Sequence, residues 1–334
     1  MKKINEAYID RMPKYIQLKD VMIDTLNKLF RDHSIDLFSL DGRVKTVDSF
    51  VEKVDRKRYE EPFEEVEDIC GLRVICYYSS ELDVIESIIE SEFSILSSSD
   101  KQKESGDDRF GYLSRHYVVC LKEQWLHAPL YRDLSGLKIE IQIRTILMHT
   151  WAAISHKLMY KKESDAPAEI NRKLNRLSAL IELADEQFDS IRVTKSEYIA
   201  GIAEMQDYEG LELNPDTLIS IVNKYSPDRK YSADNIIKFL DEIDGLGITA
   251  KVLDDYLSQY ADILIEMEKE NSEHSNNGVY PYWSLSGYLR ALLDLSNDDY
   301  YNWRWYQGGI PVGIPEATRD IREKFRDIAK GRKH

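Results

Sequence analysis

The sequence predicts an α+β unit followed by a separate all-α domain. Three short runs rich in β-branched and aromatic residues fall within residues 42–162, and helical periodicity flanks each of them. From about residue 205 onward only helical patterns recur. A chain of 334 residues has room for two domains of roughly 150 residues each, and the change of pattern places them at 1–204 and 205–334.

Taken in order, residues 5–38 space Ile16, Val21, Ile23, Leu26 and Leu29 at near-helical intervals. Strands are expected at LRVICYY (72–78), HYVVCL (116–121) and KIEIQIRT (138–145). The first is almost continuously apolar, as a strand covered on both faces is. Helices are expected at 81–93 and 145–161, a mobile polar loop at 97–108, and a long charged helix at about 167–200. Beyond it, helices are expected at about 215–224, 233–243, 249–269, 282–295 and 316–331, separated by turn signals such as Asn214-Pro215 and Ser226-Pro227.

Composition narrows the function. Hydrophobic content of 43% with 10% aromatics excludes global disorder. A net charge of −15 excludes a protein that coats nucleic acid or anionic membrane non-specifically, because such binding needs broad positive potential. It leaves room for a small basic pocket. Cys70, Cys76 and Cys120 sit in apolar runs without metal-ligand spacing, and the first residues lack the apolar core of a signal peptide. No run approaches the roughly 20 apolar residues of a membrane span. A cytoplasmic location with reduced, buried thiols and no membrane partner is expected.

Four segments carry chemistry. GRVKTVDSFVEKVDRKR (42–58) holds six basic residues in seventeen. Ser49 and Glu52 have capping-box spacing, so a helix is expected to begin at Ser49, with Lys53 and Lys57 on one face and Arg56 beside them. With Arg43 and Lys45 in extended chain just before, the segment reads either as a solvated basic face or as a polyphosphate clamp. Asp68 precedes the buried strand, where a carboxylate serves as a turn residue or as a Mg²⁺ ligand, and Arg73 lies inside the apolar run. In 138–145, Ile139, Ile141 and Ile143 share one face while Glu140, Gln142 and Arg144 share the other. A polar row before an apolar helix points to a cleft. In 109–119, Tyr112, Ser114 and His116 alternate onto one face, presenting a flat ring, a hydroxyl and an imidazole.

In order and spacing, these segments resemble the synthetase domain of the RelA/SpoT family, the nucleotide pyrophosphokinases that make ppGpp and pppGpp. Gly42-Arg43-Val44-Lys45 with Ser49 and Lys53 is similar to the family's ATP-gripping segment, and Asp68-Ile69-Cys70-Gly71-Leu72-Arg73 to its metal-Asp motif. Gly111-Tyr112-Leu113-Ser114-Arg115-His116 resembles its acceptor loop and strand, and Glu140-Ile141-Gln142-Ile143-Arg144-Thr145 its most specific signature. Trp151-Ala152, His156 and Tyr160-Lys161 resemble the helix that follows. The resemblance covers about residues 20–200.

It implies a nucleotidyltransferase-like mixed sheet flanked by helices and a transfer of the β,γ-pyrophosphate of ATP to the 3′-hydroxyl of GDP or GTP. Asp68 and Glu140 are then the expected Mg²⁺ carboxylates, with Glu140 also placed to deprotonate the hydroxyl. Arg43, Lys45, Ser49, Lys53, Arg56, Lys57 and Arg73 are expected to hold ATP. Tyr112 is expected to stack on the acceptor base, near Ser114, His116, Gln142, Arg144 and Arg109. Asp108 stands where guanine-nucleotide synthetases of the family carry a Lys, and Ser155 where a Glu commonly precedes His156. Both departures concern the acceptor, so adenine nucleotides and the tRNA 3′ end, used by toxic relatives, stand as alternatives. The family's His-Asp hydrolase domain is not expected. Homo-oligomers occur among the small members.

The C-terminal zone carries 15 basic against 24 acidic residues from position 204, a balance of −9 that disfavours RNA binding. Its aromatic run, 280–309, reads either as a helical core or as a contact surface toward its own catalytic domain or another protein, where it could restrain activity in the manner of an antitoxin.

Overall fold

The computed structural model describes residues 2–100, 114–158, 168–274, 283–307 and 316–331. The chain forms two compact units, Met1–Arg192 and Val193–His334.

The first unit is a mixed five-stranded sheet in the order β1-β2-β5-β4-β3. Its elements are α1 (Lys2–Asp32), β1 (Leu37–Val44), α2 (Val47–Lys57), β2 (Cys70–Cys76), α3 (Glu81–Glu92), β3 (Phe93–Asp100), β4 (Arg115–Leu121), β5 (Ile139–Thr145), α4 (Ile146–Leu158) and, as far as Arg192, the long α5 (Ala168–Glu204). Strand β2 pairs antiparallel with β1 and parallel with β5, while β4 pairs antiparallel with both β5 and β3. The expected strands at 72–78, 116–121 and 138–145 are therefore the three central ones. Val74, Ile75 and Cys76 are all buried, as the unbroken apolar run requires.

Both edge strands depart from expectation. The helical pattern of 5–38 ends at Asp32, Ser34 takes a left-handed backbone (φ 57°), and the chain turns into β1. The segment 97–108 was expected as a polar loop, yet its first residues extend β3 alongside β4. The serines are held there by the backbone ladder with β4, which does not depend on side-chain polarity. The rest of that segment lies outside the described residues.

Helix α1 packs on β1 and β2, burying Tyr8, Tyr15, Leu18, Met22 and Leu26. Gly42 sits where it crosses. A Cβ there would lie 2.6 Å from Leu72 Cδ2 and 2.8 Å from Lys19 Cγ, so the close approach of helix to strand needs glycine.

The second unit contains α6 (Pro215–Tyr225), α7 (Ala233–Glu242), α8 (Ala250–His274), α9 (Leu285–Ser296), α10 (Asp298–Tyr306) and α11 (Glu316–Gly331), with no strand among its described residues. Sequence periodicity missed α10, whose Asn297 side chain caps it by accepting the Tyr300 N–H at 2.8 Å. Leu218, Ile221, Leu257, Leu264, Tyr288, Leu292 and Tyr300 lie in its core. Tyr301 and Trp305 are buried beside them, whereas Tyr306 is 59% exposed. Among the described residues no helix is long and apolar enough to cross a membrane.

Candidate functional site

The sheet register assembles a polar floor from residues far apart in sequence. Arg43 lies opposite Gly71, which lies opposite Glu140. In the next row Asp41 faces Arg73, Arg73 faces Gln142, and Gln142 faces His116. Directly opposed residues point to the same side, so one face gathers two carboxylates, two guanidiniums, an amide and an imidazole. A cleft of about 190 Å³ opens over this floor, lined by Asp41, Gly42, Arg43, Asp68, Gly71, Leu72, Arg73, Glu140 and Gln142.

At one end, Asp68 binds two lysines: Oδ1 accepts from Lys53 Nζ at 2.8 Å and Oδ2 from Lys45 Nζ at 2.9 Å. The backbone sets this up, because the Lys45 N–H bonds to Ile69 O at 2.8 Å and ties the exit of β1 to the entry of β2. Tyr8 adds a third restraint, donating to Lys45 O at 2.5 Å while stacking on Phe50 at 4.3 Å. Burial opposes ionisation of Asp68, but the two ammoniums outweigh it and hold the carboxyl below its usual range.

Helix α2 begins one turn earlier than the capping-box spacing implied. Thr46 is the N-cap, its hydroxyl oxygen accepting the Ser49 N–H at 3.3 Å, and Ser49 sits inside the first turn with its side chain exposed. Threonine and serine compete for the same cap, and Thr46 has the extended backbone a cap requires. Lys53 reaches Asp68 from this helix. Arg56 and Lys57 are exposed in its last turn and are not among the residues lining the cleft.

Along β5 a chain of hydrogen bonds links the polar row. Arg144 Nη2 donates to Gln142 Oε1 at 3.0 Å, and Gln142 Nε2 donates to Glu140 Oε2 at 3.1 Å. Glu140 Oε1 is 2.9 Å from His116 Nδ1, and His116 Nε2 is 2.5 Å from Ser114 Oγ. Burial raises the cost of ionising Glu140, the contacts with His116 and Gln142 outweigh it, and nearby Asp68 pushes the other way. The carboxyl ends below its usual range, so Asp68 and Glu140 are both ionised at neutral pH. Arg109 and Tyr112, the other expected acceptor residues, lie outside the described residues, as do Tyr160 and Lys161.

Sequence reasoning assigned no role to His149. It lies on the first turns of α4, where burial first, then Arg73 and Arg144, depress its pKa against the pull of Asp41. Within the described residues His149 Nδ1, Arg73 Nε and Arg144 Nε have no hydrogen-bond partner. Its spacing of five from Arg144 is neither a strand nor a helix period, so only the turn from β5 into α4 brings the two together.

Two ionised oxygen ligands within electrostatic reach of each other suit a hard divalent cation of the Mg²⁺ type, which completes its shell with water and substrate phosphates. Among the described residues no cluster of three or more His, Cys, Asp or Glu offers an all-protein metal cage.

A family described as a region found in RelA and SpoT proteins matches residues 42–165. GTP pyrophosphokinase YjbM of Bacillus subtilis (strain 168) is 35% identical over 181 residues, covering 51% of this chain and 78% of that protein. GTP pyrophosphokinase YwaC of the same organism is 29% identical over 155 residues, covering 45% and 71%. Among solved structures, a GTP pyrophosphokinase family protein from Streptococcus pneumoniae is similar with a TM-score of 0.48 and 26% identity, over 57% of this chain and 96% of that one. The Bacillus subtilis small alarmone synthetase 1 bound to its product pppGpp has a TM-score of 0.47 and 27% identity, over 57% and 98%.

Proposed function

The chain belongs to the RelA/SpoT family of GTP pyrophosphokinases, and we propose that it transfers the β,γ-pyrophosphate of ATP to the 3′-hydroxyl of GDP or GTP. The observation that carries this reading is the pairing of Asp68 and Glu140, both ionised, across a cleft whose other charged lining includes Arg43 and Arg73. Lys45 and Lys53 sit at 2.9 and 2.8 Å from the same Asp68. Transfer of this kind consists mostly of positioning and charge neutralisation, and needs these groups and little else.

In this reading Asp68 and Glu140 hold Mg²⁺, which supplies charge neutralisation on the ATP phosphates. Lys45 and Lys53 release part of their hold on Asp68 and turn to those phosphates, with Arg43 and Arg73 alongside. The acceptor enters over β5, next to Ser114, His116, Gln142 and Arg144, with Arg109 and Tyr112 completing that side. The 3′-oxygen bonds to the β-phosphorus while the bond from that phosphorus to the bridging oxygen of the α-phosphate breaks. AMP leaves, and the hydroxyl proton passes to Glu140. A carboxylate with a depressed pKa is a weak base, so its orientation by His116 and Gln142 matters more than its basicity.

The test is an acceptor screen: purified chain with ATP and Mg²⁺ plus GDP, GTP, GMP, adenine nucleotides or tRNA in turn. GDP and GTP are expected to yield a 3′-pyrophosphorylated product, lost in Glu140→Gln. Product only on tRNA or on adenine nucleotides would replace the guanine acceptor and keep the chemistry. No product with any acceptor would overturn the proposal.

A further inference from the structure

One face of α5 grips the ends of β5 and β2, two of the strands that floor the cleft. Asp185, only 3% exposed, accepts from Thr145 Oγ1 at 2.6 Å. Thr145 is the last residue of β5, and its Oγ1 also accepts the Met148 N–H at 3.1 Å, so the same oxygen caps the first turn of α4. One turn along, Asp189 accepts from Ser80 N at 2.8 Å, from Ser80 Oγ at 2.6 Å and from Ser79 Oγ, just beyond β2. Arg192 then pairs with Glu81 at 3.1 Å, and Glu81 accepts the N–H groups of Tyr77 and Tyr78. Asp185, Asp189 and Arg192 follow i, i+4, i+7 spacing, which makes one stripe on the helix.

Geometry couples this stripe to the cleft. Side chains alternate along β5, so Thr145 points to α5 while its neighbour Arg144 points to the polar floor. A turn of the strand end about its axis moves both. Arg144 is bonded to Gln142 and Gln142 to Glu140, so displacement at Thr145 travels down the acceptor row.

The identity of the acceptor atom is informative. Asparagine could also accept the Thr145 hydroxyl, through a neutral amide oxygen and without a charge to bury. Burial and the neighbouring Asp189 carboxylate instead push Asp185 up to about 7. The groups that face it are Asp189 on its own helix, Cys76 on β2, and Thr145 with Met148 at the β5–α4 junction, with Arg192 and Glu81 further along the stripe.

We infer that Asp185 is a positioning residue of the transfer reaction, acting through Thr145 on the end of β5, the first turn of α4 and the acceptor side of the cleft. The inference rests on the pyrophosphokinase reading of that cleft. An ionised acceptor makes a shorter and stronger bond than a neutral one, so the deprotonated form holds the junction best.

Four full-chain variants test this: Thr145→Val, Thr145→Ser, Asp185→Ala and Asp185→Asn, each assayed with both substrates varied, from pH 6 to pH 8.5, beside thermal melts. Thr145→Val and Asp185→Ala are expected to lose about tenfold in kcat/KM for the acceptor, the scale of one buried hydrogen bond, with KM for ATP unchanged. Thr145→Ser is expected to restore activity. Asp185→Asn is expected to run about threefold below the unaltered chain at pH 8, and the ratio of the two to fall to one by pH 6 as Asp185 takes up its proton. Equal losses toward both substrates that track the melting temperature would overturn the inference, as would a Thr145→Ser variant that folds and stays impaired. A ratio independent of pH would do the same. Unaltered chain that makes product while all four variants match it overturns this inference alone. Unaltered chain that makes none overturns the pyrophosphokinase reading and this inference with it.

Discussion

Replacing Asp68 by Asn separates a metal ligand from a structural anchor. Its two lysine contacts, at 2.8 and 2.9 Å, join side chains that are 13–24% exposed. Exposed pairs contribute about 0–1 kcal/mol and breaking buried ones costs about 3–5, so a pair covered to this degree falls near 2 kcal/mol. In a unit of this size that lowers Tm by about 6 °C. The sign follows from the depressed pKa of Asp68: its contribution is present above the ordinary carboxylate range and lost as pH falls through the folded value. The difference between Asp68→Asn and the unaltered chain therefore closes in acid. Binding should move the other way. A carboxylate 4 Å from a phosphate charge costs about 4 kcal/mol at an effective dielectric of 20, so its removal leaves ATP binding in EDTA equal or tighter. Mg²⁺ should no longer strengthen that binding, and turnover should fall by at least about 100-fold, since metal stabilisation of the transferring group amounts to several kcal/mol. Calorimetric titration with ATP in EDTA and in Mg²⁺, beside steady-state turnover, reads all three quantities. Turnover within threefold of the unaltered chain, or Mg²⁺ dependence that survives, refutes the role of Asp68 as a ligand.

Gly42→Ala puts a Cβ 2.6 Å from Leu72 Cδ2 and 3.0 Å from Ile23 Cδ1, and is expected to cost about 2 kcal/mol in urea unfolding while displacing Arg43 from the cleft. In the second unit, Glu268→Gln leaves Arg229 buried without a counter-charge, where both side chains are now 0% exposed and bonded at 2.6 and 3.0 Å. A loss of about 3–5 kcal/mol is expected, visible as early melting of this unit, and the paired replacement Arg229→Met with Glu268→Met should cost less than the single one.

What could be read in advance followed from local periodicity. Strand β5 announces itself because Ile139, Ile141 and Ile143 alternate with Glu140, Gln142 and Arg144, and the same alternation makes one face core and the other cleft. Strand β1 does not, because Asp41-Gly42 in its middle has the composition of a turn. Gly42 serves instead as the crossing point of α1, a demand made by Lys19 and Leu72 at other places in the chain. Strand β3 carries Ser97, Ser98 and Ser99, and its hold on β4 is backbone pairing that side-chain patterns do not record. The Lys45–Asp68–Lys53 cluster spans separations of 23 and 15 residues, and the Thr145–Asp185 bond spans 40. No spacing rule reaches that far; only the antiparallel pairing of β1 with β2 around α2, and the return of α5 to the end of β5, bring these groups together.

The second unit shows where rings and cations settle when they share one core. Its aromatic run could be read as a core or as a surface, and Tyr288, Tyr300, Tyr301 and Trp305 are in fact buried. Arginines went inside with them: Arg229 lies 3.7 Å from the Tyr288 ring centroid, Arg322 4.4 Å from that of Trp283 and Arg326 4.1 Å from that of Tyr301. A guanidinium is weakly hydrated for a cation and stacks on rings, so it tolerates this setting where an ammonium would not. Among the described residues of this unit Arg229, Arg304, Arg322 and Arg326 are buried against only Asp254, Glu268 and Asp294. Four buried cations against three buried anions shift the outer balance by only one charge from the −9 of the sequence. The electrostatic case against phosphate backbones that composition makes therefore holds in the folded chain, and any ligand of this unit must be met by something other than positive potential.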